Sequence, residues 1–339
     1  MSYTRKKGVS LSPKKYFIDA LGAMALGLFA SLLIGTIFGT AADYVTSKEI
    51  QSFLIKMKEY SVMAQGPAMA IAIGSALGAQ GLVLFSLCAV GAAGNALGGP
   101  LGTYVAVLIS CEIGKLVYKS TRIDIILTPT VTIAVGVELA LVTGPGITKI
   151  MTYLGNLIMT FTELQPLVMG ALVSMVMGIC LTLPISSAAI CAMLGLTGIA
   201  GGAATAGCCA QMVGFAVMSF SANKWGGLIA QGLGTSMLQM GNIVRKPIIW
   251  IPPILTSLIT GALSAFVFKM ENPVAIASGM GTCGLVGPIG VISVKGLTPA
   301  DVFVMFLICF LLPGFLTWAI AKPFKKLGLI KDSDLKLDI

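Results

Sequence analysis

Runs of about twenty apolar residues recur along almost the whole chain, and each is long enough to cross a bilayer as a helix. "FIDALGAMALGLFASLLIGTIF" at 17–38 and "DIILTPTVTIAVGVELALVTG" at 124–144 are two of them. Lipid offers no water to backbone N–H and C=O groups, so such segments must close their hydrogen bonds internally, as helices or a sealed barrel. Uninterrupted runs, rather than short segments of alternating polarity, decide for helices. Hydrophobic residues fill 56% of the 339 positions and charged residues 10%, where a soluble domain is about one quarter charged. The expected fold is an all-α polytopic membrane protein, one transmembrane domain over 1–339, with about ten transmembrane segments including broken or re-entrant helices.

The net charge of +9 does not point to nucleic acid, because the cations gather at the ends and in short loops. Arg5, Lys6, Lys7, Lys14 and Lys15 precede the first span, and Lys322, Lys325, Lys326, Lys331 and Lys336 follow the last. That pattern reads as positive-inside: 1–16 and 322–339 are expected as cytoplasmic basic tails, the number of crossings as even, and Lys115, Lys119 and Arg122 as a cytoplasmic return. The run at 17–38 has span length and no small-residue cleavage site, so no signal peptide is expected. Between Asp43 and Tyr60 a charged, amphipathic connector is expected to lie at a membrane surface.

Eight cysteines lie mostly within apolar segments, with no CxxC pair and no histidine anywhere. They read as buried thiols acting as small hydrophobes, and neither metal nor cofactor is expected. Without histidine the chain itself cannot carry a phosphohistidine or shuttle protons through imidazole. No GxxxxGK[ST], GxSxG or HExxH motif occurs, which points to a carrier and not to a hydrolase or an ATP-driven pump.

Glycine and proline mark the interruptions. The stretch 61–119 reads as about three spans, broken at Gly78–Gly81 and around Asn95–Pro100. "FSANKWGG" (220–227) reads as a loop or broken helix tip and "NIVRKP" (242–247) as a basic turn. Trp250 ahead of Pro252 and Pro253 suits an interfacial entry to the next span. Dense Gly and Ala between Pro166 and Ser219 suggest closely approaching helices. "GNALGGPLGTYVAV" (94–107) and "GTCGLVGPIGVISV" (281–294) both set Gly-Pro between apolar flanks, a weak echo of the kind that marks substrate sites in two-halved transporters. Thr148, Thr152, Asn156 and Thr160 give the segment 146–163 a polar stripe, suited to an interface or to the protein interior.

An ionisable group near the bilayer centre costs about 2.5 to 3.5 kcal/mol, so each needs a partner, a cavity or a role. Glu138 lies inside its span with no neighbouring cation: either it lines a polar cavity, or it is protonated or paired at a distance. Glu112 has Lys115 one turn on, which suits an interfacial ion pair. Glu271 follows Lys269, so a loop ion pair is open to it; against that, Gly279, Gly281, Gly284, Gly287 and Gly290 permit irregular backbone, which at membrane depth belongs around a hydrated cavity. Asn95, Gln211, Asn223, Gln231, Gln239 and Asn272 complete the polar set. Amides donate and accept, as a binder of neutral hydroxyl-rich ligands requires, and a carboxylate can anchor two hydroxyls. Interhelical hydrogen bonding is the alternative for each amide.

"DIILTPTVTIAVGVELALVTGPGI", "PLVMGALVSMVMGICLTLPISSAA", "GCCAQMVGFAVMSFSANKWGGLIAQGLGTSMLQMGNI" and "MENPVAIASGMGTCGLVGPIG" together resemble, over nearly the whole chain, the membrane subunit IIC of the bacterial sugar phosphotransferase system. The likeness is closest to the branch that includes proteins named as perfringolysin regulators. Sugar porters of this family carry a Gly-Ile-Thr-Glu-Pro motif whose glutamate binds the sugar; "KMENP" looks like its counterpart, with Glu271 at the glutamate and Asn272 inserted before Pro273. Where they carry a histidine after a "GALxG"-like helix, this chain has "TLPISSAA", with Ser186 and Ser187 in that region.

The resemblance implies a homodimer in the bacterial cytoplasmic membrane, a transport domain moving elevator-like against a dimerisation scaffold, and an amphipathic linker helix, for which 146–163 is the candidate. It also implies phosphate supplied from phosphoenolpyruvate through separate soluble IIA and IIB subunits, as no cysteine- or histidine-bearing phosphocarrier domain follows residue 322. The expected substrate is a small hydroxylated molecule, a sugar, bound by Glu271, Asn272, Glu138, Ser186, Ser187, Gln211 and Asn95. Two other functions stay open: a membrane sensor that keeps the transporter fold, and an ion-coupled secondary transporter.

Overall fold

The computed structural model describes residue 9, residues 12–293 and residues 298–337. Arg5, Lys6 and Lys7 of the basic N-terminal segment, and Val294 at the end of the second Gly-Pro echo, lie outside them. The regular structure of the described residues is helical. Within what the sequence reads as one transmembrane domain there are two compact units, Met1–Ile150 and Met151–Ile339.

The first unit contains α1 (Lys15–Ala42), α2 (Lys48–Met63), α3 (Gln65–Ala76), α4 (Leu82–Val117) and the first part of α5 (Asp124–Thr162). Helix α2 is the charged connector and buries none of its residues; Lys58, Ser61 and Val62 pack its other face against Gly35 and Gly39 of α1. Between α3 and α4 the chain turns at Gly78 and Gly81, both at positive φ. Although α4 runs for 36 residues, Gly99 within it has φ 61° and ψ −154° and is followed by Pro100. The chain reverses there. Gly114 packs on Val83 and Gly94 on the Thr103 backbone, and the Thr103 hydroxyl reaches the Gly91 carbonyl at 3.5 Å. Contacts that close symmetrically around Gly99 make α4 two antiparallel legs. Both interruptions expected in 61–119 are therefore real: Gly supplies a backbone conformation that L residues avoid, and Pro supplies no N–H to continue the helix.

At the open end of this hairpin, Lys115 pairs with Glu112 at 2.8 Å and donates to the Leu77 carbonyl at 3.0 Å. The pair was expected at an interface. The pairing holds, and the pair is buried in the protein, with Lys115 reaching inward to cap the end of the preceding helix. The apolar segment 124–144 and the amphipathic segment 146–163, expected as separate elements, form one continuous helix, α5, through Pro145.

The second unit contains the end of α5, then α6 (Pro166–Thr182), α7 (Ser187–Leu194), α8 (Gly198–Met218), α9 (Phe220–Ile229), α10 (Met240–Arg245), α11 (Pro247–Val267), α12 (Ala275–Ser278), α13 (Val286–Ile292) and α14 (Pro299–Lys326). The polar stripe of Thr152, Asn156 and Thr160 on α5 is exposed, while Ile158 is buried. Helix α8 is the axis of the unit, with Gly201 through Ala206 and Cys208 through Met212 all buried. Small residues let α6, α11 and α14 close on it: Gly207 meets the Ser174 backbone, Gly178 meets Gly207 and Ser257, and Gly214 meets Thr317. Close approach of this kind replaces the hydrophobic drive that lipid cannot supply. Across both units, α1, α4, α5, α8, α11 and α14 are long and apolar enough to cross a membrane, and α6 and Cys283–Ile292 are shorter apolar helices.

The segment after α14, expected as part of a basic tail, is folded against the second unit. Ile330 and Leu335 are buried. Asn223 donates to the Leu335 carbonyl at 2.8 Å and accepts from Leu337 N–H at 2.8 Å; Gln239 donates to Leu335 at 3.0 Å and Asn242 to Lys336 at 2.9 Å. Lys246 pairs with Asp334 at 2.6 Å. Lys325 and Lys326 lie in the last turn of α14, with Lys322 one turn earlier.

Candidate functional site

Lys269, at φ 46°, turns the chain out of α11 into the run Met270–Asn272, and the side chains alternate: Lys269 and Glu271 are exposed, Met270 and Asn272 buried. This two-residue period belongs to extended backbone. Two partners anchor the run from below. Met270 N–H donates to Ser264 at 2.9 Å, and the backbones of Asn272 and Gly198 exchange both N–H···O bonds at 3.0 Å. Gly198, at φ 62°, opens α8 here, and Gly202 one turn on lies against the Met270 carbonyl so closely that any Cβ would overlap it.

Asn272 has no exposed surface and spends both ends of its amide on the fold. Its Nδ2 donates to Thr205 Oγ1 at 2.9 Å and toward the Gly287 carbonyl at 3.4 Å, while Oδ1 accepts Val274 N–H at 3.0 Å. This last bond is a local Asx turn. Gly290 packs directly on this amide.

Beyond α12 the backbone is irregular, and residues 279–284 are buried. Gly281 at φ 55°, Gly284 at 53° and Leu285 at 63° carry it past Cys208 and Cys209, halfway along α8. The Thr282 hydroxyl donates to the Gly232 carbonyl, joining this turn to the widened turn Ala230–Gly234. Two irregular segments therefore meet beside the central helix, a placement tolerated in membrane proteins only where protein or a water-lined cavity covers the backbone. Thr205, Thr282, Gly198 and Gly232 were not among the residues expected here; the "GIAGG" opening α8 was their one visible signal.

Ser187 is buried and donates to the Gly279 carbonyl at 2.7 Å, which ties α7 to the end of α12. Ser186, half-buried, caps α7 by accepting Ala189 N–H at 3.3 Å. Glu271, Asn272, Ser186 and Ser187 thus belong to one connected set of loops around the start of α8. Gln211 lies further along α8, wholly buried. Its Oε1 accepts from Trp250 Nε1 at 2.9 Å and from Thr182 Oγ1 at 3.3 Å, and its Nε2 donates to Ser257 at 3.2 Å. It joins three neighbouring elements, Trp250 at the entry to the apolar part of α11 among them.

Glu138 and Asn95 belong to the first unit. Glu138 is exposed on α5, beside exposed Leu141 and Val142; Asn95 is half-buried on the first leg of α4, ahead of the Gly99 reversal. Among the remaining amides, Gln231 donates to Ser219 at 2.9 Å and accepts from Gln239 at 2.9 Å, and Asn242 donates to Gln239 at 2.8 Å. With Asn223 they form the ladder that holds the segment after α14.

The ion pairs among the described residues are Glu112–Lys115, Asp334–Lys246 and Asp332–Lys325. Neither Glu271 nor Glu138 takes part. A carboxylate outside these ion pairs can accept two hydroxyl donors.

The family model described as Phosphotransferase system, EIIC matches residues 18–337. No curated protein and no solved structure matches the chain.

Proposed function

Because the chain belongs to the phosphotransferase system EIIC family, we propose that it is a permease subunit that binds a small hydroxylated substrate, a sugar, through Glu271 and carries it across the cytoplasmic membrane of a bacterial cell. The observation that carries this reading is the free Glu271 carboxylate between two residues, Met270 and Asn272, whose backbones are both anchored. A group held that firmly and left without a partner among the described residues is pre-organised for a ligand. Ser186 stands in the same set of loops as a second hydroxyl-binding group. Asn272, Ser187 and Gln211 support the pocket walls.

On this reading the protein is a homodimer working by an elevator-like shift, with both ends cytoplasmic. Counting the legs of α4 separately and adding α3 and the shorter apolar helices gives about ten membrane segments. Phosphate comes from phosphoenolpyruvate by way of separate soluble IIA and IIB subunits.

The test is thermal stability of the purified protein against a panel of sugars and sugar alcohols, with Glu271→Gln alongside. A ligand at 100 times its Kd stabilises by about 2.7 kcal/mol. The expected outcome is a sugar that stabilises the wild type and not the variant. A folded Glu271→Gln protein with unchanged affinity overturns the assignment of Glu271.

A further inference from the structure

The C-terminal part of α14 carries a second feature unrelated to the loops around Glu271. Met218, Trp318, Ala321, Lys322, Lys325 and Lys326 line a cavity of about 400 Å³, within the range of about 300 to 1,000 Å³ typical of small-molecule sites. Its floor is apolar and its rim cationic. The three lysines are not equivalent. Lys325 is committed, donating to the Met218 carbonyl at 3.0 Å and pairing with Asp332 at 2.7 Å. Lys322 Nζ stands 4.9 Å above the Trp318 ring, a geometry that fixes a cation without neutralising it. Neither Lys322 nor Lys326 belongs to an ion pair among the described residues.

The surroundings point to the class of ligand. Phe315, Trp318, Leu327 and Leu329 are all exposed around the cavity's helix. Exposed aromatic and aliphatic side chains running directly into uncompensated lysines mark the level where a bilayer's acyl region meets its headgroups. A basic pocket at that level selects anionic headgroups.

We propose that this cavity is a binding site for the phosphate-bearing headgroup of an anionic phospholipid, with Lys322 and Lys326 facing the phosphate and Trp318 facing the glycerol and first acyl carbons. The same chemistry would accept free phosphate, so the experiment separates the two.

Full-length protein is reconstituted in mixed phosphatidylglycerol and phosphatidylcholine, extracted gently, and its retained lipid measured by native mass spectrometry. Three proteins are compared: wild type, Lys322→Gln/Lys326→Gln, and a charge-matched control, Lys48→Gln/Lys56→Gln, on exposed α2. Wild type and control are expected to prefer phosphatidylglycerol by about tenfold, and the cavity variant to lose that preference while melting normally. Equal retention of both lipids by wild type, or equal loss in the two variants, overturns the proposal. Displacement of the lipid by millimolar inorganic phosphate also overturns it, in favour of a free-anion site.

Discussion

Asn272 and Gly198 exchange both backbone hydrogen bonds at 3.0 Å, so the residue between Glu271 and Pro273 is the one that fastens the loop to the start of α8. The Asn272 side chain adds its own bonds to Thr205 and Val274. Replacing it by alanine keeps the backbone pair, removes the buried bond to Thr205, whose hydroxyl still donates to Gly201, and leaves the Val274 N–H without its acceptor, which together costs about 1 to 3 kcal/mol. Asn272→Ala is expected to lower the melting temperature and also weaken sugar binding, through Glu271. Thermal unfolding with and without ligand measures both effects; unchanged stability would mean that water replaces the amide.

Gly202 and Gly226 make a matched pair. A Cβ at Gly202 overlaps the Met270 carbonyl, whereas one at Gly226 meets nothing within 4 Å. Gly202→Ala must push the Glu271 loop away from α8 and is expected to abolish ligand binding or folding. Gly226→Ala should be neutral, or stabilising by up to about 1 kcal/mol, because alanine loses less backbone entropy in a helix. Size-exclusion profiles and melting curves of the two variants read the contrast directly.

At Gly99 the obstacle is conformation, not space. No atom lies within 4 Å of its hypothetical Cβ, yet its φ of 61° and ψ of −154° fall where only glycine is comfortable. Gly99→Ala is expected to destabilise by about 1 to 3 kcal/mol, while Gly146→Ala, at another open site, should cost far less. Similar melting temperatures for the two would contradict a sharp reversal at this point.

Asp332 supplies a pH-dependent contact. The ammonium of Lys325, and then the Ser221 hydroxyl, bond its carboxylate and hold its pKa below the ordinary value. A folded-state pKa below the unfolded one contributes stability that is present above the unfolded pKa, near 3.9, and is lost as pH falls through the folded value. The side chain is 53% exposed, so solvent screening keeps the effect below about 1 kcal/mol. Asp332→Asn is expected to melt slightly lower than wild type at pH 7, with the gap closing in acid below pH ~4. A gap that widens in acid would reverse the sign.

Where the sequence could be read, glycine and proline did the work. The turn at Gly78 and Gly81 and the reversal at Gly99 before Pro100 were visible because these residues constrain the backbone locally, whatever surrounds them. Pro145 shows the limit of that rule: it is exposed, and α5 continues through it, since a missing N–H on an outer face leaves no buried partner unsatisfied. Partners distant in sequence were not visible. Glu112 and Lys115 are three residues apart and their pairing was readable, but their burial depended on the Leu77 carbonyl. The amides of Asn223, Gln231 and Gln239 announced a need for hydrogen bonds without saying whose, and a ligand and a backbone strand look alike to an amide. Charge suggested a basic tail after α14, where the apolar side chains of Ile330 and Leu335 anchor it instead. For Glu271 the converse holds: its exposure and freedom follow from neighbours, Met270 and Asn272, that are both turned inward.

The ladder of amides beneath the segment after α14 has a consequence in time. Asn223 finds its backbone partners 112 and 114 residues later, and Asn242 finds one 94 residues later. At a synthesis rate of about 5 to 20 residues per second, these side chains wait roughly 5 to 20 seconds with their partners still unmade. During that interval the turn between α9 and α10 is a half-finished surface on the nascent protein, open to chaperones or to mispairing, and the second unit completes its assembly only when the segment that fills it has been synthesised.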